Sequence, residues 1–467
     1  MSVLKKSKLL QISILLLQVV AIPLTVYALK NAATYFARAK GTFANLVVDI
    51  SGGIDKPSNF VWKNLAQGGE EVNEKTLSAV VGKIAALTPQ YIRVDHVYDF
   101  WGVVKKPPSG NLVFSWERLD RLLSDITNTG AKPFIVLSYM PPAFSADSEV
   151  GLPASWNEWG ELVQKTIEHV SGTNGLAISD VYYEVWNEPD LFGDFKLRGE
   201  KNYLELYRES ALAAQRATGT LPFKIGGPAT TALYKNWFDN FFRFVADNNL
   251  RVDFYSWHRY SEDLRDFEED IQNAKAWIEF FPEFRNIEFI VSELGLDSNN
   301  NPAYDGKLSA IHSIATSAIL EDNLKSSFIF EIKDGPSPQK YWGRWGILTH
   351  EKHGEPEEKP RYKAIDFMNR MMGSVIPVTG QGSWVKSFAK RIGSVTRLLV
   401  VNYDPQDSHY EQVPIKFINL PSQNFLFRRI SFLGETKEER ITTTSSEWQT
   451  LQTFSPNTAA IFEIVFQ

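Results

Sequence analysis

Two glutamates stand where strand-forming runs stop. In 181–190 (VYYEVWNEPD), Glu188 sits between Asn187 and Pro189; in 290–295 (IVSELG), Glu293 closes a second apolar run. Pro189 cannot continue a sheet and restricts the backbone of Glu188, so this carboxylate belongs at a strand end. Two carboxylates brought together suit cleavage of a glycosidic bond: one protonates the leaving oxygen while the other attacks the anomeric carbon. Asn187 adds an amide able to hydrogen-bond a hydroxyl beside the reacting carbon. Asn-Glu-Pro alone is also a good turn, and an isolated Glu293 could cap a helix or pair with a cation. The chemical reading therefore depends on the two residues meeting.

The elements that would bring them together are legible as a rhythm. Short apolar or β-rich runs occur at 45–50, 91–95, 133–138, 181–186, 223–226, 252–257, 287–292 and 326–331. Stretches of helical period lie at 75–87, 116–128, 156–170, 202–217, 236–247, 267–280, 308–321 and 362–372. Continuous apolar strands alternating with helices predict a (β/α)8 TIM barrel, with a doubly wound open sheet as the rival. Active sites of such barrels lie at the C-terminal ends of the strands. Glu188 ends the fourth run and Glu293 the seventh, so both face one mouth. Arg93, in the second run, either neutralises an acid there or holds a nucleophilic Glu293 ionised. Beyond Gly373 the helical period disappears and β-rich runs separated by turn signals predict a small antiparallel β-sandwich domain. The expected domains are 1–40, 41–374 and 375–467.

Composition narrows the partners. The 467 residues are 43% hydrophobic, and a net charge of -6 offers no basic face, so no nucleic-acid partner is expected. With no cysteine, thiolate nucleophiles, disulfides and Cys-ligated zinc are excluded. His350 and His353 have metal-like spacing, but in a Lys/Glu-rich stretch they read as solvated surface, so no metal and no cofactor are expected. Residues 9–29 carry no charge and follow Lys5, Lys6 and Lys8. This predicts an N-terminal hydrophobic helix that anchors the chain in a membrane by a single pass, with a cleaved signal peptide as the alternative. Either way the rest of the chain is extracytoplasmic. Its oligomeric state is not legible.

WNEP at the end of a fourth strand, with a later strand-ending Glu, resembles glycoside hydrolase clan A, and within it family 39. Supporting segments are YIRVDH (91–96), MPP (140–142), SWHRY (256–260), GRWGIL (343–348) and KPRY (359–362). The resemblance implies a retaining glycosidase acting on an oligo- or polysaccharide, of the β-xyloside or exopolysaccharide type. It implies Glu188 as acid/base, Glu293 as nucleophile, and Arg93, His96, Asn187, His258 and Tyr260 as the sugar subsite, with Trp186 of the same motif beside them. Many clan members carry a strand-eight Trp beneath the sugar. Here Phe330 takes its place, followed by the charged Glu331 and Lys333. Aromatics beyond the strand ends, among them Trp101, Tyr139, Phe144, Phe192, Trp342 and Trp345, are candidates to stack on sugar rings. The rival readings are a catalytically silent sugar-binding protein and a structural envelope protein on the same scaffold.

Overall fold

The computed structural model describes residues 41–52, 58–108, 110–144 and 148–466. Among them, eight parallel strands close into a barrel: β1 (Asn64–Gln67), β2 (Tyr91–Val94), β3 (Lys132–Leu137), β4 (Val181–Val185), β5 (Phe223–Thr230), β6 (Phe254–Tyr260), β7 (Glu288–Gly295) and β8 (Ser326–Phe330). β7 pairs with both β6 and β8, and β8 returns to β1, which leaves no open edge and rules out the open sheet. Helices follow the strands on the outside, and several start where a side chain caps them. Ser155 accepts from the Glu158 N–H to begin Trp156–Val170, and Asp263 accepts from the Arg265 N–H ahead of Leu264–Ile278.

The barrel is filled rather than hollow. Ala66, Phe134, Tyr182, Phe254, Ile290, Phe328 and Phe330 point inward and form one apolar plug. The Phe134 and Phe328 rings meet at 4.7 Å. Truncating either to alanine would cost about 3–5 kcal/mol, because a closed barrel cannot collapse into the cavity. Polar strand-end residues sit above this floor.

The first expected strand is corrected. Leu46–Asp49 is not in the barrel; it pairs in parallel with Glu411–Ile418 and antiparallel with Val378–Thr379. Its burial alternates, with Leu46 and Val48 inside, which is the pattern of a strand packed on one face. The barrel's own first strand, Asn64–Gln67, lacks the apolar run that marks the others. The C-terminal β region is a sandwich of a four-stranded sheet and a six-stranded sheet. The Leu46–Asp49 pairing makes it mixed, whereas an all-antiparallel one was expected. Its core, built on Val48, Phe417, Phe427, Phe454 and Phe462, is separate from that of the barrel. The two units meet where Trp62 packs on Phe388 (5.6 Å) and Lys390 pairs with Glu321 at 2.7 Å, both side chains fully buried.

The hydrophobic segment 9–29 lies outside the described residues. Among the described residues, no helix is long and apolar enough to cross a membrane.

Candidate active site

β4 and β7 place their glutamates by different local devices. Beyond the end of β4, Trp186 and Glu188 both adopt left-handed backbone (φ 71° and 44°), which is unfavourable for side chains of this size. The Glu188 N–H is held by the Ala229 carbonyl at 3.0 Å, so the C-terminal end of β5 stabilises the strained turn. In β7 the pairing register with β6 shifts between Val291 and Glu293. Such a bulge re-aims the side chain that follows it, and Glu293 turns inward toward the mouth.

The two carboxylates converge. One oxygen from each and a His258 nitrogen all lie within 4.8 Å of one another. Arg93 sits below them, fully buried. Its Nη1 donates to Glu293 Oε1 at 2.6 Å, Nη2 to Asn187 Oδ1 at 2.8 Å and Nε to Glu184 Oε2 at 2.8 Å. Tyr260 Oη donates to the other oxygen of Glu293 at 2.8 Å. His258 Nδ1 lies 2.8 Å from Glu188 Oε1 and 3.5 Å from Glu293 Oε2. Both neighbours accept, so Nδ1 carries the proton.

The electrostatics follow from this arrangement. Burial pushes the pKa of Glu293 up, and Glu188 and Asp95 add to that; the charges of His258 and Arg93 pull it back. Burial opposes a charged His258, but Glu293 and the hydrogen bond to Glu188 outweigh it and raise its pKa above 6.5. Two basic groups thus face two acidic ones across a gap of a few ångströms. The guanidinium beside Glu293 already supplies the positive charge a metal would bring, and His258 presents N–H rather than a lone pair to the carboxylates.

The family is decided by a match of more than half of the chain: residues 74–381 fit the model for glycosyl hydrolases family 39. The chain belongs to that family. Its relatives include a beta-xylosidase of Caldicellulosiruptor saccharolyticus, 27% identical over 318 residues, covering 62% of this chain and 63% of that protein. A beta-xylosidase of Geobacillus stearothermophilus is 25% identical over 292 residues, covering 55% of this chain and 56% of that one. The chain thus spans less than two thirds of the length of either. Among solved structures, a monomeric beta-xylosidase from Caulobacter crescentus CB15 superposes with a TM-score of 0.73 at 18% identity, covering 90% of this chain and 99% of that one. A family 39 enzyme from Xanthomonas axonopodis pv. citri gives 0.72, also at 18% identity, with 91% and 97% covered. At such identity the superpositions speak for the fold alone.

Within this family 39 site, Glu188, Glu293, Arg93, Asn187, His258 and Tyr260 come together. Phe330 forms part of the floor, between Tyr260 (6.4 Å between ring centres) and Trp345 (5.2 Å). His96 stands one ring away: it bonds Asp99 at 2.7 Å, stacks on Phe100 and meets the edge of Tyr139. Trp186 does not join the cluster. Its ring is fully buried against Trp159 and Phe195, and its N–H donates to the Phe192 carbonyl at 2.9 Å. It braces the turn that carries Glu188 from behind.

Three groups were missed or undervalued. Glu184 is fully buried and anchors Arg93 from below; a carboxylate inside an otherwise apolar buried strand requires a cationic partner, and that was the available signal. Tyr139 accepts from Asn187 Nδ2 at 2.8 Å. Asp95 is buried beside Arg93 and His96, and burial raises its pKa. His350 is also corrected: it is buried rather than solvated. Its Nδ1 accepts from the Lys352 N–H at 2.9 Å, leaving an N–H at Nε2 toward Glu71. The Lys333 ammonium lies 3.2 Å from Glu71 and 2.8 Å from Glu351, filling the cation position of that cluster.

Proposed function

We propose that this family 39 chain is a retaining glycosidase acting on β-linked xylosides, with Glu293 as nucleophile and Glu188 as acid/base. The observation that carries the reading is the close approach of Glu188 and Glu293 over Arg93. Retaining pairs stand about 5–5.5 Å apart, whereas inverting pairs need about 6.5–9.5 Å to admit a water between them. Nearest oxygens within 4.8 Å of one another fit the shorter class, and the family match supports retention. The xyloside assignment draws on the relatives described as beta-xylosidases.

In the first step Glu293 attacks the anomeric carbon as the bond to the leaving oxygen breaks, and the proton of Glu188 passes to that oxygen. In the second, Glu188 takes a proton from water, whose oxygen attacks the same carbon and releases Glu293. Two inversions give retention. Arg93 and Tyr260 hold one oxygen of Glu293 each, so the nucleophile is oriented before substrate arrives. Asn187, tied to Arg93 and Tyr139, is positioned for the hydroxyl beside the reacting carbon.

A series of aryl β-xylosides tests the roles. Glu293→Ala should abolish turnover on every leaving group. Glu188→Ala should lose about 10²–10⁴-fold on poor leaving groups, yet still cleave a dinitrophenyl glycoside in a burst followed by slow release. Equal loss on good and poor leaving groups would reverse or remove these roles. Activity on uronides or an acidic exopolysaccharide, with none on xylosides, would overturn the choice of sugar.

We also propose that residues 9–29 anchor the catalytic unit outside the cytoplasm. Full-length protein should resist carbonate extraction from membranes, and a mature chain starting near Leu29 in the medium would contradict this.

A further inference from the structure

The acid fixes where the leaving group must lie. Resting on the glycosidase reading above, the sugar being transferred occupies the side of Glu293, Tyr260 and Phe330. The departing ring begins at the oxygen that Glu188 protonates and extends away from them. What borders Glu188 on its own chain is the turn that follows it. The N–H groups of Leu191 and Phe192 both donate to the Glu188 carbonyl, at 2.9 and 2.7 Å. Within that turn the large apolar side chains divide sharply: Trp186 and Phe195 are buried, whereas Leu191 is 60% and Phe192 42% exposed.

This exposure is built into the backbone. Asp190 accepts from the Thr231 N–H at 3.0 Å, the Phe192 carbonyl accepts from Trp186 Nε1, and the Phe195 N–H donates to the Pro189 carbonyl at 2.9 Å. Gly193 holds φ at +102°, where an added Cβ would meet the Val150 carbonyl at 3.0 Å. The turn is thus pinned to the loop after β5, to β4's end and to the neighbouring loop. Phe192 lies edge-on to Tyr139 (6.0 Å between ring centres), whose hydroxyl bonds Asn187. An apolar ring held rigidly at the acid's lip loses little conformational freedom on meeting a ligand. Its exposed face matches the C–H face of a pyranose.

We propose that Leu191 and Phe192 form the leaving-group subsite, in which Phe192 stacks on the second sugar ring of an oligosaccharide substrate. The turn that presents the acid then also selects what the acid expels. Specificity on this side is apolar stacking, in contrast to the ion-paired and hydrogen-bonded side that holds the transferred sugar.

The test compares two probes that share the transferred sugar and differ in the leaving group: β-1,4-xylobiose, which expels a sugar ring, and β-xylosyl fluoride, which expels a fluoride ion with no ring. Phe192→Ala should lower kcat/KM about tenfold on xylobiose, at least fivefold more than on the fluoride, and Phe192→Trp should restore it. Rates of glycosyl transfer to an added xylose acceptor should fall in parallel, since the acceptor uses the same place. Equal losses on both probes, or none on xylobiose, would overturn the subsite. If the wild-type protein cleaves neither probe, the xyloside reading itself fails and this inference with it.

Discussion

Two buried ion networks in this molecule invite comparison: Arg93 with Glu184 and Glu293 at the barrel mouth, and Lys390 with Glu321 where the barrel meets the sandwich. Each places a cation within 2.8 Å of a carboxylate in a water-poor environment. Their surroundings differ. Glu321 is saturated by donors: besides Lys390 it accepts from Ser58 Oγ and from the N–H groups of Phe60 (3.1 Å) and Val61 (2.9 Å). The Lys390 ammonium lies 4.2 and 4.5 Å over the Phe60 and Trp62 rings, which closes the pair off on the other side. Glu293 is also held at both oxygens, but it faces a second carboxylate across a gap. Burial of a charge therefore does not by itself mark a reactive group. A buried acceptor set opposite another acceptor is unfavourable as a structural arrangement, and it is the feature that distinguishes the mouth from the Lys390–Glu321 network.

The comparison breaks most visibly when each cation is removed. Arg93→Ala should abolish measurable turnover and also destabilise the fold by about 3–5 kcal/mol, since Glu184 is left buried without its partner. Lys390→Ala should cost a similar amount in thermal or denaturant unfolding while leaving KM unchanged, because Glu321 touches nothing at the mouth. If Lys390→Ala were as inactive as Arg93→Ala at a temperature where both remain folded, the division into reactive and structural networks would be wrong.

A smaller effect sharpens the same contrast through pH. The raised pKa of His258 comes from Glu293 and Glu188, against burial and the charge of Arg93. A base whose folded pKa lies above its unfolded value contributes stability that is complete below the unfolded pKa, here 6.5, and lost as pH rises through the folded one. The unfolding midpoint of the wild-type protein should therefore decline above pH 6.5, and His258→Gln should flatten that decline. An unchanged slope in the variant would mean that His258 is neutral in the empty site.

The same contrast explains what could be read in advance. Seven of the eight barrel strands were legible because apolar runs buried on both faces differ from anything on a surface. β1 escaped because NLAQ offers four residues with polar ones at both ends, its Asn64 and Gln67 being buried among neighbouring polar groups. Val385–Ile392 is hard to read from sequence for a related reason. Lys386 and Lys390 give it the look of a surface segment, yet they pair with Glu268 (2.7 Å) and Glu321 on the barrel. Partners far away in sequence cancel a charge that local pattern counts as exposed. At the mouth, Glu188 and Glu293 stood out because strand ends point toward one face, whereas His258 and Tyr260 were named only through the resemblance to family 39. Trp186 reverses its expectation because side-chain direction at a strained strand end depends on φ values that residue types do not reveal.

The most direct test of the central claim is covalent trapping. Incubation with a 2-deoxy-2-fluoro-β-xyloside bearing a dinitrophenyl group should slow release of the glycosyl-enzyme, and peptide mass mapping should then find one fluoroglycosyl group on Glu293. The label should be absent in Glu293→Ala and, with this activated leaving group, still form in Glu188→Ala. Labelling of Glu188, or rapid turnover to a product of inverted configuration with no trapped enzyme, would contradict the account.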